Sequence, residues 1–215
     1  MKRLIDISQY QGQYSNGVWH DTIAWSAVAA AGIDGCIIQL TQGLGLINPL
    51  AHQQACNARA AGLRIGFYHF GRPNHSDAKA EAQFFLAQIR RNDIPTADII
   101  PALDVEQIMI AGVEQKVPQR TLEQWIIDFC QVLAADGLDR VMLYSNPGYL
   151  DSNLSPVHKL KSMPLWLSEY AGSPYMLPKG WNTYALWQNS GTGHVDGIAG
   201  NVDTNQCPDI SLITL

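Results

Sequence analysis

The sequence predicts an α/β fold: a single irregular (β/α) barrel with eight mainly parallel strands and an incomplete ring of helices. Short apolar segments rich in β-branched and aromatic residues alternate with longer segments of helical period, which is typical of a parallel sheet covered by helices. Eight apolar segments occur, enough to close such a sheet into a barrel. The chain has 215 residues, of which 47% are hydrophobic, and this size fits one domain of that type.

The predicted strands are spread over the whole chain. Each is short and mostly apolar, as expected for strands that are buried on both faces of a sheet. They cover residues 4–7, 35–41, 64–70, 99–105, 140–145, 165–168, 183–188 and 201–203.

Four helices are predicted between the strands, each marked by capping signals or by its apolar period. Asp21 is placed to cap residues 22–31, and a proline and a glycine bracket residues 49–61. Asp77 can cap the third helix. The fourth helix, residues 119–135, carries one apolar stripe that would pack on the sheet. Its members are Leu122, Trp125, Ile126, Phe129 and Leu133.

The last third of the chain is less regular. Residues 146–181 contain five prolines and little helical period, so we expect a helix or two to be missing from this part of the ring. No internal repeat, charge block or linker marks a second domain.

Charge and hydropathy exclude two classes of partner. The net charge is −5, and the basic residues are scattered, so no basic stripe is available for nucleic acid. Residues 23–38 form the longest weakly polar stretch, which polar residues and glycines interrupt, so no membrane span is predicted. A carboxylate, Asp6, follows the basic start where a signal peptide would have its apolar core, and the chain as written is therefore expected to be made in the cytoplasm without a secretory signal.

No metal or cofactor is predicted. The six histidines show no zinc-binding spacing, and the glycines at 43 and 45 lack the rest of a phosphate-binding loop. The four cysteines also lack zinc spacing and are expected to be buried free thiols. They are Cys36, Cys56, Cys130 and Cys207.

An alternating pair of carboxylates ends the fourth predicted strand, where the site of an α/β barrel lies. Because strand side chains alternate between faces, Leu103 and Val105 would face the helices, and Asp104 and Glu106 would face the barrel axis. Two like charges this close raise at least one pKa, and a general acid needs a protonated carboxyl group. A solvated strand end is the alternative, but the alternation after an apolar strand favours glycoside hydrolysis.

Two further aspartates are candidates by the same rule. Asp6 shares a strand face with Leu4 and Ser8, and Asp203 lies in the last predicted strand. Either could instead be a turn-forming aspartate.

Aromatic residues near the strand ends indicate a substrate class. Aromatic rings stack on the apolar faces of sugars, although core packing is the commoner role for any single ring, and we expect some of these rings to be core. The rings are Tyr68, Tyr144, Trp166, Tyr170 and Trp187.

Six short motifs occur in an order that resembles the glycoside hydrolase family 25 muramidases, often called the Chalaropsis type. Each motif is weak alone, but all six in order at strand spacing are specific, and they span nearly the whole chain. They are Asp6-Ile7-Ser8 with Gln11-Gly12, the segment from Gly66 to Phe70, Asp104-Val105-Glu106, Trp166 with Tyr170, Trp187-Gln188, and Asp203-Thr204-Asn205.

The resemblance implies hydrolysis of the β-1,4 bond between N-acetylmuramic acid and N-acetylglucosamine in peptidoglycan. It makes Glu106 the general acid, with Asp6, Asp104 and Asp203 completing an acidic cluster. Asp104 would orient the substrate's own N-acetyl group as an internal nucleophile; the alternative is that an aspartate attacks directly or activates water. The residues expected to bind substrate are Tyr68, Tyr144, Trp166, Tyr170, Gln188 and Asn205.

One motif departs from the family pattern. The second strand of the family usually ends in a K-A-T-E-G-like motif, and here Gln39 and Gln42 stand in place of the lysine and the glutamate. This removes one charge of each sign from the rim of the groove and bears on substrate preference and local pKa values.

Together these features predict that residues 1–215 form a single catalytic barrel domain with no separate wall-binding domain. The expected partner is the glycan strand of bacterial peptidoglycan, bound by a monomer that acts on the wall after release, as a phage or prophage lysin does. The alternatives are a non-catalytic peptidoglycan-binding module and a glycosidase that acts on chitin-like chains.

Overall fold

Eight strands form a closed barrel. The structure is a computed structural model that describes residues 1–115, 117–173 and 176–215. The barrel strands are β1 (Lys2–Ile7), β2 (Gly35–Gln42), β3 (Arg64–Phe70), β4 (Ala102–Asp104), β5 (Met142–Ser145), β6 (Leu165–Ser168), β7 (Leu186–Gly193) and β8 (Val202–Cys207).

The strands follow one another around the barrel in chain order. Neighbours from β1 to β7 pair in parallel, and β8 closes the barrel by pairing antiparallel with both β7 and β1. In the last pairing Asp6 lies directly opposite Asp203. The prediction of eight mainly parallel strands is confirmed, and the closure brings the two ends of the chain side by side.

Helices surround only part of the barrel, as the sequence predicts. They are α1 (Trp25–Ala30), α2 (Ala51–Ala60), α3 (Ala78–Ile89), α4 (Gln119–Ala135) and α5 (Pro147–Asn153). In the part of the chain that the structure describes, no α-helix follows α5, and a 3-10 helix, Lys159–Ser162, precedes β6. One of the five late prolines, Pro174, lies outside the described residues.

The alternation of side chains creates two apolar layers. Inside the barrel, Leu4, Ala102 and Trp166 belong to one buried cluster. On the other face, Leu103 and Val105 pack in a larger cluster with the helices. That outer cluster contains the predicted stripe of α4, which consists of Leu122, Trp125, Ile126, Phe129 and Leu133.

Several local predictions are wrong. Asp21 does not cap α1, which begins at Trp25 after Ala24; the Asp21 carboxylate instead accepts hydrogen bonds from Trp25 Nε1 (2.8 Å) and Asn57 Nδ2 (2.8 Å). Strand β4 begins at Ala102 and not at Ile99, which forms an isolated bridge with Thr214 near the carboxyl terminus. The last two strands, β7 and β8, also run beyond their predicted ends at residues 188 and 203.

Short accessory strands lie outside the barrel. Strand Gln13–Ser15 pairs with Val18–His20 as a hairpin, Met109–Ile110 pairs with Val113–Glu114, and Leu46–Ile47 adds to the end of β2. The four cysteines are free, but only Cys36 and Cys207 are fully buried. Among the described helices, none is both long and apolar enough to cross a membrane.

Candidate active site

A pocket of about 240 Å³ opens at the carboxyl ends of the barrel strands. The four predicted carboxyl groups, those of Asp6, Asp104, Glu106 and Asp203, all line it. Among the described residues that line this pocket, none is lysine, arginine or histidine. The pocket is therefore acidic without a fixed cation.

The backbone after β4 directs Glu106 into the pocket. The Val105 N–H donates to the carbonyl of Tyr144 (3.1 Å), and the Val105 carbonyl accepts from the Ser145 hydroxyl (2.7 Å). These bonds extend the β4 course past Asp104. The alternation predicted from the sequence is thus maintained for two residues beyond the strand.

One oxygen atom of the buried Asp104 carboxyl group, Oδ1, has no hydrogen-bond partner among the described residues. Burial first, and then the charges of Glu106, Asp6 and Asp203, raise the pKa of Asp104 well above its usual range. The environment of Asp104 in the unliganded pocket thus disfavours its charged form.

Glu106 has the pKa of a general acid. Burial, followed by the charge of Asp6, raises the pKa of Glu106 to about 7. At neutral pH this side chain is protonated in a large fraction of molecules, yet it can lose the proton during a reaction.

Asp6 lies on the opposite side of the pocket in a dense hydrogen-bond network. Its Oδ2 atom accepts from Gln188 Nε2 (3.0 Å) and from Asn205 Nδ2 (2.7 Å). Burial raises the pKa of Asp6 to about 6, and these hydrogen bonds limit the rise. Burial, the charge of Asp6 and a hydrogen bond to it raise the pKa of Asp203 to about 8. Asp203 is thus the protonated member of this pair at pH 7.

Gln188 is held so that its amide nitrogen faces Asp6. Its Oε1 atom accepts from the hydroxyl groups of Tyr144 (2.8 Å), Tyr170 (2.6 Å) and Ser168 (3.2 Å). The Asp6 carboxylate can only accept, so the amide atom that faces it is the nitrogen, and the atom that meets the three hydroxyl groups is the oxygen.

Asn205 is fixed in the same way. Its Oδ1 atom accepts from Trp166 Nε1 (2.7 Å), which leaves the amide nitrogen for Asp6. Gln188 and Asn205 are each only 2% exposed. Both amide groups donate to Asp6, and Gln188 also lines the pocket. Substrate binding by these two residues stays a prediction.

The five predicted aromatic rings separate into exposed and buried groups. Tyr170 is exposed and donates to Gln188, which lines the pocket, and Tyr68 is partly exposed in the pocket itself. Tyr144 and Trp166 line the pocket but are buried. Trp187 faces away, packs in the outer core and donates to the Glu169 carbonyl (2.7 Å). Only part of the predicted set is accessible to a ligand.

Several residues of the site were not predicted as functional. Tyr10 and Phe70 line the pocket, and Ser145 and Ser168 supply supporting hydrogen bonds. Phe70 lies inside a family motif, so its position could have indicated a role. The serines carry no sequence signal beyond their places at strand ends.

Gln39 and Gln42 both line the pocket, as the family motif implies. Both side chains are neutral. The rim of this wall therefore carries no ion pair between these two positions. In the described part of the chain, no group of three or more histidine, cysteine or acidic side chains is arranged to hold a metal ion.

Known proteins are similar to this chain in sequence. Lysozyme M1 of Streptomyces globisporus is 28% identical over 94% of this chain and 66% of its own length. The autolytic lysozyme of Clostridium acetobutylicum is 31% identical over 94% of this chain and 54% of its own length. The chain thus spans between about half and two thirds of the length of these relatives.

Structure and a family model agree with these matches. The crystal structure of the lysozyme from Streptomyces coelicolor superimposes with a TM-score of 0.82 at 28% identity, covering 97% of this chain and 92% of that one. A model described as glycosyl hydrolases family 25 matches residues 5–198, which include Asp6, Asp104 and Glu106. Because this match covers most of the barrel, the chain belongs to glycosyl hydrolase family 25.

Proposed function

We propose that this protein is a muramidase that hydrolyses the β-1,4 bond between N-acetylmuramic acid and N-acetylglucosamine in peptidoglycan. The observation that carries the proposal is the pairing of Asp104 and Glu106 at one strand end, with the Asp104 Oδ1 atom buried and unpartnered among the described residues. Family membership and the lysozyme names of its relatives support this substrate.

Glu106 acts as the general acid. Its pKa of about 7 lets it hold a proton at neutral pH and transfer that proton to the oxygen of the scissile bond. The bond between this oxygen and the muramic C1 atom then breaks. Glu106, now ionised, can accept a proton from the water that later attacks C1.

Asp104 binds and orients the acetamido group of muramic acid. The N–H of that group supplies the donor that Asp104 lacks, and a hydrogen bond to the charged form favours the carboxylate. The oriented acetamido oxygen attacks C1 as the sugar–oxygen bond breaks, and water then opens the cyclic intermediate. The charge on Asp104 stabilises the positive charge of this intermediate.

Asp6 and Asp203 stabilise the reacting sugar from the other side of the pocket. The Asp6 carboxylate is fixed by two amide donors and therefore needs no rearrangement when positive charge develops on the sugar. Asp203 retains a proton and can donate a hydrogen bond. In this proposal, Tyr68 and Tyr170 contact sugar faces, which is supported by Tyr68 lining the pocket and by the exposure of the Tyr170 ring.

Incubation of purified cell wall with the wild type and with Glu106→Gln tests the proposal. We expect the wild type to release new reducing ends of muramic acid, and the variant to release almost none while it still binds wall. Wall binding without release by the wild type would identify a binding module instead. Release of reducing glucosamine would identify cleavage of the other bond, as in a chitinase-like enzyme.

We further propose that residues 1–215 act as one catalytic unit on the cell wall, without a wall-binding domain in this sequence. The first and the last barrel strands both contribute residues to the pocket, which supports a single unit. Action as a monomer, lack of nucleic-acid binding and a role as a phage or prophage lysin stay predictions of the sequence.

A further inference from the structure

A hairpin beside the pocket carries exposed aromatic rings. Its strands, Gln13–Ser15 and Val18–His20, pair so that Tyr14 lies directly opposite Trp19. Asn16 and Gly17 connect them with φ values of 54° and 80°, the left-handed pair typical of a two-residue hairpin turn. Residues directly opposite in an antiparallel pair project from the same face. Tyr14 and Trp19 therefore form one aromatic face of the hairpin.

A third ring joins this face to the pocket. The Trp19 ring contacts Tyr14 at a centroid distance of 5.3 Å and Tyr10 at 6.2 Å, the latter edge to face. Tyr10 also lines the acidic pocket. The three rings, hereafter the aromatic wall, thus continue the pocket outward over the hairpin.

The base of the hairpin is fixed in place. Ser8 and Gln11 form a reciprocal cap around the short helix that carries Tyr10. A Cβ atom at Gly12 would lie 2.6 Å from the His20 carbonyl oxygen and 2.3 Å from Leu50 Cδ1, so only glycine allows this close approach. The aromatic wall therefore has a defined position relative to the pocket.

The exposure of the wall exceeds what packing within the hairpin requires. Tyr10 is 74% exposed and Tyr14 is 60% exposed, although each contacts Trp19. The segment from Ser8 to Trp19 contains no charged residue and is rich in glutamine, serine and asparagine. Rings combined with neutral amide and hydroxyl groups match a sugar, which presents apolar faces and hydroxyl groups, better than a membrane or a nucleic acid, both of which require basic residues.

We propose that the aromatic wall of Tyr10, Tyr14 and Trp19 binds sugar units of the same glycan strand beyond those held at the carboxyl groups. The inference rests on the proposed muramidase function, because it assigns the wall to that polysaccharide. Its continuity with the pocket through Tyr10 is the reason for choosing the substrate strand as occupant. Binding there makes efficiency depend on strand length.

The test compares long glycan strands with fragments too short to reach the hairpin. Tyr14→Ala and Trp19→Ala should each raise KM for long strands about threefold to tenfold, as expected for loss of one aromatic contact. The kcat value and the activity on short fragments should remain at wild-type levels. Tyr14→Phe, which keeps the ring, should restore the wild-type KM.

Val18→Ala is the matched control. Val18 is 57% exposed on the same hairpin, but as the neighbour of Trp19 it projects from the opposite face. Its removal should change neither KM nor kcat. Thermal unfolding of each variant shows whether the hairpin change has disturbed the barrel.

Two outcomes would overturn the aromatic wall without touching the muramidase proposal. The first is equal KM for long strands in wild type, Tyr14→Ala and Trp19→Ala while the wall is cleaved. The second is a loss that affects short fragments equally, which would indicate a structural role. If the wild type cleaves nothing, the affinity of Glu106→Gln for long and short strands is measured with and without Trp19→Ala. Equal affinity for long strands in both proteins would overturn the aromatic wall.

Discussion

The two sides of the pocket carry carboxyl groups in opposite circumstances. On the β1 and β8 side, Asp6 accepts two amide hydrogen bonds and faces Asp203. On the β4 side, the Oδ1 atom of Asp104 has no partner among the described residues, although the side chain is buried. The protein supplies hydrogen-bond donors to the Asp6 carboxyl group, whereas it leaves one oxygen atom of Asp104 without a donor among the described residues.

The difference indicates which group awaits a ligand. A buried polar atom without a partner costs about 1–3 kcal/mol, so such an atom destabilises the fold unless something else supplies the bond. Asp6 has its donors before substrate arrives and acts as a fixed charge. In the proposed mechanism, Asp104 obtains its donor from the acetamido group of the bound sugar, so binding and orientation are coupled at this residue.

Asp104→Asn breaks the β4 side of the comparison and should have the largest effect. The amide cannot stabilise the positive charge of the cyclic intermediate, so we expect kcat to fall by about 10²- to 10⁴-fold, with a small change in KM. The measurement is steady-state release of reducing ends from soluble glycan strands. Wild-type kcat in the variant would contradict the assignment of Asp104.

A matched substrate sharpens this test. Removal of the muramic N-acetyl group should slow the wild type strongly and slow Asp104→Asn little further, because both changes abolish the same interaction. If the two losses instead multiply, Asp104 acts independently of the acetamido group, and direct attack by an aspartate or by activated water becomes the better mechanism.

Gln188→Met breaks the opposite side, with a smaller expected effect. The change keeps the side-chain volume but removes one donor from Asp6 and leaves three hydroxyl groups without their shared acceptor. We expect kcat/KM to fall about tenfold, which corresponds to a loss of about 1.4 kcal/mol. Tyr170→Phe, which removes a single donor to Gln188, should cause a smaller loss.

The pH profile separates positioning from simple damage. Asp6 acts as a carboxylate with a pKa of about 6, so the wild-type rate should fall as pH decreases below about 6. Because the Gln188 hydrogen bond lowers this pKa, its loss should move the acidic limb to higher pH. An unchanged limb with lower activity throughout would argue against a positioning role for Gln188.

Side-chain alternation explains how much of this site the sequence could predict. The period of two in β1 and β4 placed Asp6, Asp104 and Glu106 on the barrel interior, and the structure puts all three in the pocket. The same pattern predicted that Leu103 and Val105 lie on the face of the sheet that packs against the helices.

The partners of these side chains could not be predicted in the same way. A motif does not reveal that the amide groups of Gln188 and Asn205 donate to Asp6. Asp21 shows the same limit, since its capping position in sequence was overridden by tertiary hydrogen bonds to Trp25 and Asn57. Local patterns encode faces, whereas hydrogen-bond partners depend on residues far apart in the chain.

Asp203→Asn should have the smallest effect of these variants, and the quantity affected is stability rather than activity. The folded-state pKa of Asp203 is about 8, above the usual value of 3.8, so the folded state binds more protons than the unfolded state between these pH values. The free energy of unfolding therefore decreases as pH rises through this window, and the asparagine variant lacks that decrease. We expect its melting temperature to exceed that of the wild type by a few degrees at pH 8 and to match it near pH 4.

Asp34→Asn is the control of opposite sign. Although burial opposes the shift, hydrogen bonds from Lys2 and the Arg3 backbone lower the pKa of Asp34, so this variant should melt earlier than the wild type at pH 8. If Asp203→Asn instead melts earlier at pH 8, as Asp34→Asn does, the charged form of Asp203 does not destabilise the folded state.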